Sequence, residues 1–163
     1  MIGTLRLAVA LCAAAALSQF PAFSDQYVQR LGGQVDALTR VAAEFDGSAR
    51  AAGLSRQQAL ADLSGSAFRD AHQANMQAVF TRLDRARADL LMLRLAGPLE
   101  RMALPHRLRD TETLAATWAD FRPAMPVTVA GAWAAGIGLV LGWWLTALPG
   151  LIFRRRDDRL GWR

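Results

Sequence analysis

Hydrophobic positions in this chain follow two patterns: at both ends they run unbroken, and between the ends they recur at spacings of three and four. From Pro126 to Phe153 the stretch PVTVAGAWAAGIGLVLGWWLTALPGLIF carries no charge, and Arg154, Arg155 and Arg156 follow at once. A bilayer core takes about 20 apolar helical residues, and Pro126 to Ala147 would measure about 33 Å at 1.5 Å per residue. A transmembrane helix over 126–153 with a basic stop and a basic tail over 154–163 is predicted. Residues 1–23 carry one Arg, Arg6, ahead of the run LAVALCAAAALSQFPAF. Two readings fit that run. One is a secretory signal with a small-x-small site at Ala22-Phe23-Ser24; the other is a retained anchor, which the length of the run favours.

The middle of the chain, residues 24–122, predicts a helical domain. Ser24 is placed to cap a helix over 24–51, on which Tyr27, Leu31, Val35, Leu38, Ala42 and Phe45 share one face. Gly53 is its stop. Ser55 and Gln58 form a capping box for a short helix over 55–63, and Ser64-Gly65-Ser66 breaks it. A long helix over 67–96 follows, with Met76, Val79, Phe80, Leu83, Ala86, Leu90 and Leu93 in heptad-like phase, as in a coiled coil. Gly97-Pro98 ends it. After a loose stretch containing Pro105, Asp110 or Thr111 can cap a helix over 111–121, which stops before Arg122-Pro123. That last helix either lies at a membrane interface with Trp118 and Phe121, or packs those aromatics into the helical hairpin.

Small residues add a packing clue. Ala130, Ala134, Gly138, Gly142, Thr146 and Gly150 recur every four residues in the second apolar segment, and Thr4, Ala8, Cys12 and Ala16 do so in the first. Such stripes let membrane helices approach closely, so Ala8, Cys12 and Ala16 are expected to meet Ala134, Gly138 and Gly142. Whether that pairing is within one chain or between chains stays open. Composition alone also makes such stripes common in Ala-rich segments.

The net charge of +5 changes the picture only once its distribution is seen. Asp25 to Arg122 holds thirteen Arg against twelve carboxylates, whereas Arg154 to Arg163 holds five Arg against two Asp, so the basic excess belongs to the membrane edge. Nucleic acid is therefore not an expected partner. Arg6 and the basic tail place both termini in the cytoplasm and residues 24–122 in the periplasm. Trp118 and Trp133 suit the outer membrane interface, Trp143 and Trp144 the inner one. Along the helices, Asp36 to Arg40, Arg40 to Glu44, Asp46 to Arg50 and Arg85 to Asp89 are spaced as helical ion pairs, each worth a few tenths of a kcal/mol.

Candidate chemistry is sparse. The histidines, His72 and His106, stand far apart with a single cysteine, Cys12, so no metal or cofactor site is expected. The serines at 48, 55, 64 and 66 have caps and turns as their simplest role. Gly32-Gly33 falls in a helical pattern and reads as a kink or a close-packing point. Arg107 and Arg109, with His106, either meet anionic headgroups or an acidic partner, or form a solvated loop; the loop is favoured.

The stretches LSQFPAFSDQYVQRLGGQVDAL at 17–38, GLSRQQALADLSGSAF at 53–68 and TWADFRPAMPVT at 117–128 resemble a family of small proteobacterial inner-membrane proteins classed as a domain of unknown function. The resemblance implies an N-terminal anchor, a helical middle and a C-terminal membrane helix, and it brings no activity with it. Pattern and resemblance thus agree on an all-α membrane protein, two transmembrane helices flanking an extramembrane helical hairpin domain. The expected role is non-enzymatic: an accessory or scaffold subunit in contact with membrane lipids and a protein partner, with Tyr27, Arg30 and Leu31 as candidate partner-binding residues near the membrane and the loop from Gly53 to Ser66 at the far tip. A homo-oligomeric pore is the alternative, and a periplasmic hydrolase a more distant one.

Overall fold

The computed structural model describes residues 2–123 and 128–157, with side chains over 3–123 and 128–146. All regular structure among the described residues is helical: α1 (Ile2–Ser18), α2 (Phe20–Ala51), α3 (Arg56–Asp62), α4 (Ala67–Leu95), α5 (Thr111–Asp120) and α6 (Val129–Asp157), with 3-10 turns at Glu100–Ala103 and Pro105–Arg107. Two helices, the run beginning at Gly3 and Val129–Thr146, are long and apolar enough to cross a membrane. The chain divides into two compact units, and the division differs from the single block expected over 24–122. Asp25, Pro98–Ala103 and residues 120–123 fold with the terminal helices; Gln26–Gly97 and Leu104–Ala119 form the other unit.

In the first unit α1 and α6 pack antiparallel, backbone against backbone. Gly138 lies against the Ala13 carbonyl, where an added Cβ would come 2.8 Å from Ala14 Cα; at Gly142 it would come 2.7 Å from Ala10 Cα. No residue larger than glycine fits at either point without moving α1. Ala134 is fully buried on the same stripe. On α1 the contact face is Ala10, Ala13 and Ala14, whereas Ala8, Cys12 and Ala16, the residues expected to pack, are exposed. The reason is local. Ala10, Ala13 and Ala14 make a broad flat patch at i, i+3 and i+4, while the row 8-12-16 is a single file flanked by Leu5 and Leu11, which are 65% and 54% exposed.

Helix starts follow from caps and prolines. Pro21 sits in the first turn of α2, where its missing N–H has no bond to lose, so the helix begins at Phe20 and Ser24 is interior to it. Ser24 is therefore not the expected cap: it is fully buried and its Oγ donates to the Pro21 carbonyl at 2.9 Å. Thr128 caps α6, its Oγ1 accepting from the Gly131 amide at 3.1 Å. The expected start at Pro126 lies outside the described residues. The backbone remains α-helical to Asp157, through Pro149 and Gly150; the Arg154, Arg155 and Arg156 side chains lie outside the described ones. The 29 residues of α6 correspond to about 43 Å of helix, more than a bilayer core of about 30 Å. Elsewhere in this unit Phe23 and Phe121 meet edge to face at 5.5 Å, and Arg101, nine-tenths buried, pairs with Asp25.

The second unit is a helical hairpin. α2 ends in a Schellman motif: Gly53 takes φ +73°, its amide donates to the Arg50 carbonyl at 3.0 Å and the Leu54 amide to the Ala49 carbonyl at 2.9 Å. α3 opens on the Ser55 and Gln58 capping box. Ser66 then caps α4, with Gly65 at φ +96° and its amide donating to Asp70 Oδ1 at 3.1 Å. The core is made by Val28, Leu31, Val35, Leu38 and Ala42 of α2 and by Met76, Phe80, Leu83, Ala86, Leu90 and Leu93 of α4. Phe45 and Phe80 pack edge to face at 5.5 Å, and Arg87 donates to Thr39 Oγ1 at 2.9 Å. Gly32 is a close-packing point as expected of a helical glycine here: a Cβ would stand 3.1 Å from the Arg94 guanidinium, which lies over it.

Candidate functional site

One position on the apolar face of α4 is a carboxylate. Ala86, Asp89, Leu90 and Leu93 share the buried side, and a charge there needs partners that replace its water. They come from the end of the 3-10 turn at Pro105–Arg107 and the segment that follows it. Asp89, with its side chain 5% exposed, accepts from Arg107 Nη1 at 3.0 Å and from Arg109 Nε at 2.8 Å and Nη2 at 3.3 Å. Two turns of α4 earlier, the polarity is reversed. Arg82 donates to both oxygens of Asp110 at 2.9 Å and to Glu112 Oε2 at 2.5 Å. The segment 107–112 is thus fastened to α4 at two points by charges of opposite order.

The same segment is also tied to α2. Tyr27 is fully buried, and its hydroxyl accepts from the Asp110 amide at 3.3 Å. Asp110 caps α5, its Oδ1 accepting from the Thr113 amide at 2.9 Å. Burial alone would raise the Asp110 pKa, but Arg82 and the Thr113 groups outweigh it and bring it from 3.8 down to about 2. Its partner Arg82 is pushed upward, chiefly by the hydrogen bond to Asp110. Near neutral pH both ends of this contact hold full charge, so the arrangement braces the segment and has no proton to exchange.

An open groove of about 550 Å³ runs along this face, lined by Thr81, Arg82, Arg85, Asp89, Arg109 and Glu112 among others. Of its arginines, Arg82 and Arg109 pair with carboxylates of the same lining. Among the described residues no group of three or more His, Cys, Asp or Glu is placed to hold a metal ion.

The opposite end of this unit is a tip of a different kind. α3 buries no residue, yet it is held by polar contacts. Arg56 forms an ion pair with Asp46 of α2 and stands 4.3 Å over the Phe80 ring, and Gln73 Nε2 donates to the Leu60 carbonyl at 2.7 Å. Next to it Phe68 is 82% exposed, stacked on His72 at 6.3 Å.

Several expected residues take other places. Tyr27 and Leu31, expected as partner-binding, have no exposed surface; they are core residues, because α2 turns that side toward the interior of the hairpin. Arg30 alone of the three is exposed. Arg107 and Arg109, read as a solvated loop, hold Asp89. Asp46 and Asp89, expected to pair with Arg50 and Arg85 along their own helices, pair with Arg56, Arg107 and Arg109. Trp118, Trp133, Trp143 and Trp144 are all exposed. The Asp89 cluster carried one usable signal: a carboxylate in the apolar phase of a helix, followed by Arg-x-Arg in a short connection.

Geometry thus defines an all-α protein with two helices able to cross a membrane and a braced helical hairpin. The chain belongs to the family described as a protein of unknown function, DUF2937, whose model matches residues 1–159. No curated protein and no solved structure matches it.

Proposed function

We propose that this is a two-pass inner-membrane protein, both termini cytoplasmic and residues 24–122 periplasmic, acting without catalysis as an accessory or scaffold subunit. The positive-inside pattern of Arg6 and Arg154 to Arg156 supports the orientation. The observation that carries the role is the tip of the hairpin. α3 is a helix that buries no residue and is nonetheless fixed in place by the Asp46, Phe80 and Gln73 contacts, beside a phenylalanine 82% exposed. An ordered element with an unburied aromatic suits an anchor for a protein partner, where a few such side chains carry most of the binding energy. The partner-binding role assigned from sequence to Tyr27 and Leu31 passes to Phe68 and α3, with lipid the second partner. The pore reading draws less support, because Gly138 and Gly142 are occupied by α1 of the same chain.

The test is the composition of the complex extracted in mild detergent from the source membrane, read by mass spectrometry for the native chain and for Phe68→Glu. A different protein in stoichiometric amount, lost from the variant, is expected; a loss of at least about 2 kcal/mol, roughly thirtyfold in affinity, is typical of an aromatic anchor. Copies of this chain alone, unchanged in Phe68→Glu, would turn the reading toward self-association.

A further inference from the structure

The exposed face of α4 changes character along its length. From the tip toward Gly97 it presents Gln77, Thr81 and Asp84, then Ala88, and finally Leu91, Met92 and Leu95, of which Leu91 and Leu95 are 60% and 75% exposed. α5 changes in the same sense, from Glu112 through Ala115 to Trp118, 74% exposed. In both helices the apolar end is the one next to a crossing of the chain into the unit that holds α1 and α6. Gly97 is followed by Pro98–Ala103, and Ala119 by Asp120. Gln29 and Arg30 keep the start of α2 polar on its exposed side, so the apolar surface is confined to α4 and α5. Single exposed apolar residues need no explanation; three on one helix end, matched by a tryptophan at the end of another, do.

We infer that the last turn and a half of α4, carrying Leu91, Met92 and Leu95, rests on the bilayer at the level of the lipid headgroups. Leu91 to Leu95 spans about 6 Å of helix, comparable with a headgroup layer about 5–7 Å deep, and Asp84 lies about 10 Å further from that end of α4. Arg94 bends over Gly32, away from the Leu91 and Leu95 row, so the face entering the interface carries no charge of its own. Leu93, between them, is fully buried in the hairpin, so the helix is held while its outer side meets lipid.

The inference rests on the two-pass reading, and the test separates the two. The full chain with Cys12→Ala is reconstituted in vesicles of phosphatidylethanolamine and phosphatidylglycerol. A nitroxide is attached in turn at Leu91→Cys, Leu95→Cys, Asp84→Cys and Val140→Cys, the last on the exposed side of α6. Collision with oxygen, which concentrates in lipid, is compared with collision with a water-soluble nickel chelate. The ratio is expected several-fold higher at 91 and 95 than at 84, and highest at 140. Nickel access at 91 and 95 equal to that at 84, with 140 in lipid, would overturn the inference and leave the two-pass reading standing. Exclusion of both reagents at 91 and 95 would mean a protein covers the patch and would overturn it too. Nickel access at 140 would sink the two-pass reading itself.

Discussion

The two units of this chain solve the same problem, holding helices together, with opposite materials. α1 and α6 meet through Gly138, Gly142, Ala10, Ala13 and Ala14, where the absence of side chains brings backbones into contact. The hairpin is held by Leu, Phe and Met side chains and by ion pairs that include a carboxylate only 5% exposed. The contrast follows from solvent. In lipid no hydrophobic force separates one apolar side chain from another, so close van der Waals approach does the work and small residues are needed. In water large apolar side chains gain about 25 cal/mol for each Å² they bury, and a buried charge is tolerable only with partners.

That comparison breaks most sharply at the glycines. Gly138→Leu drives a side chain into the backbone of α1, and a loss of about 3 kcal/mol in helix association, the upper end of the usual cost of overpacking, is expected. Gly136→Leu is its control, since a Cβ there meets nothing within 4 Å; dissociation of the two helices in a denaturing-detergent titration would rank them. Equal behaviour of the two variants would mean that the glycine stripe is incidental. In the hairpin the counterpart is Asp89→Ala, which leaves the Arg107 and Arg109 guanidinium groups without their carboxylate. Because Arg109 is half exposed, the cost should sit below that of a fully buried pair, at about 2–3 kcal/mol, read as a lower melting temperature by circular dichroism. Asp84→Ala, on the exposed side, should change it little.

A smaller effect separates the units by pH. Asp110 has its folded pKa lowered to about 2 from 3.8, so its contribution is complete above the unfolded value. It is lost as the pH falls through the folded one. Stability of the hairpin should therefore decline between about pH 4 and pH 2 by on the order of 1–2 kcal/mol, and Asp110→Asn should flatten that part of the curve. Smallest of all, Ala8→Leu adds bulk on the exposed side of α1 and should leave association with α6 within about 0.5 kcal/mol of the parent, whereas Ala13→Leu should not.

What could be read from the sequence was whatever is settled within one turn or one helix. The Ser55 and Gln58 box, the Gly53 stop and the phase of Met76, Phe80, Leu83 and Leu93 depend on residues a few places apart. The face of α1 was hidden because an alanine-rich helix offers small stripes in several registers and only the partner helix selects one. Tyr27 and Leu31 lay on a visible apolar face, and it was their assignment to a partner that failed, since the sequence does not say how completely the hairpin covers that face. The Asp89 cluster joins residues eighteen and twenty positions apart, and Arg85 offered a nearer, simpler pairing. Ser24 fits a cap only for a helix that starts after Pro21, and a first-turn proline allows the earlier start at Phe20.

The pairing of α1 with α6 also sets a clock. Ala13 emerges about 125 residues before Gly138, and at 5–20 residues per second synthesis takes roughly 6 to 25 seconds to cover that distance. For that interval the alanine face of α1 is without its partner, and the whole hairpin emerges before the terminal helices can meet. Closure is therefore among the last events in the life of a nascent chain. A truncated product, however well its hairpin folds, would display an unmatched helix face to the quality-control proteases of the membrane.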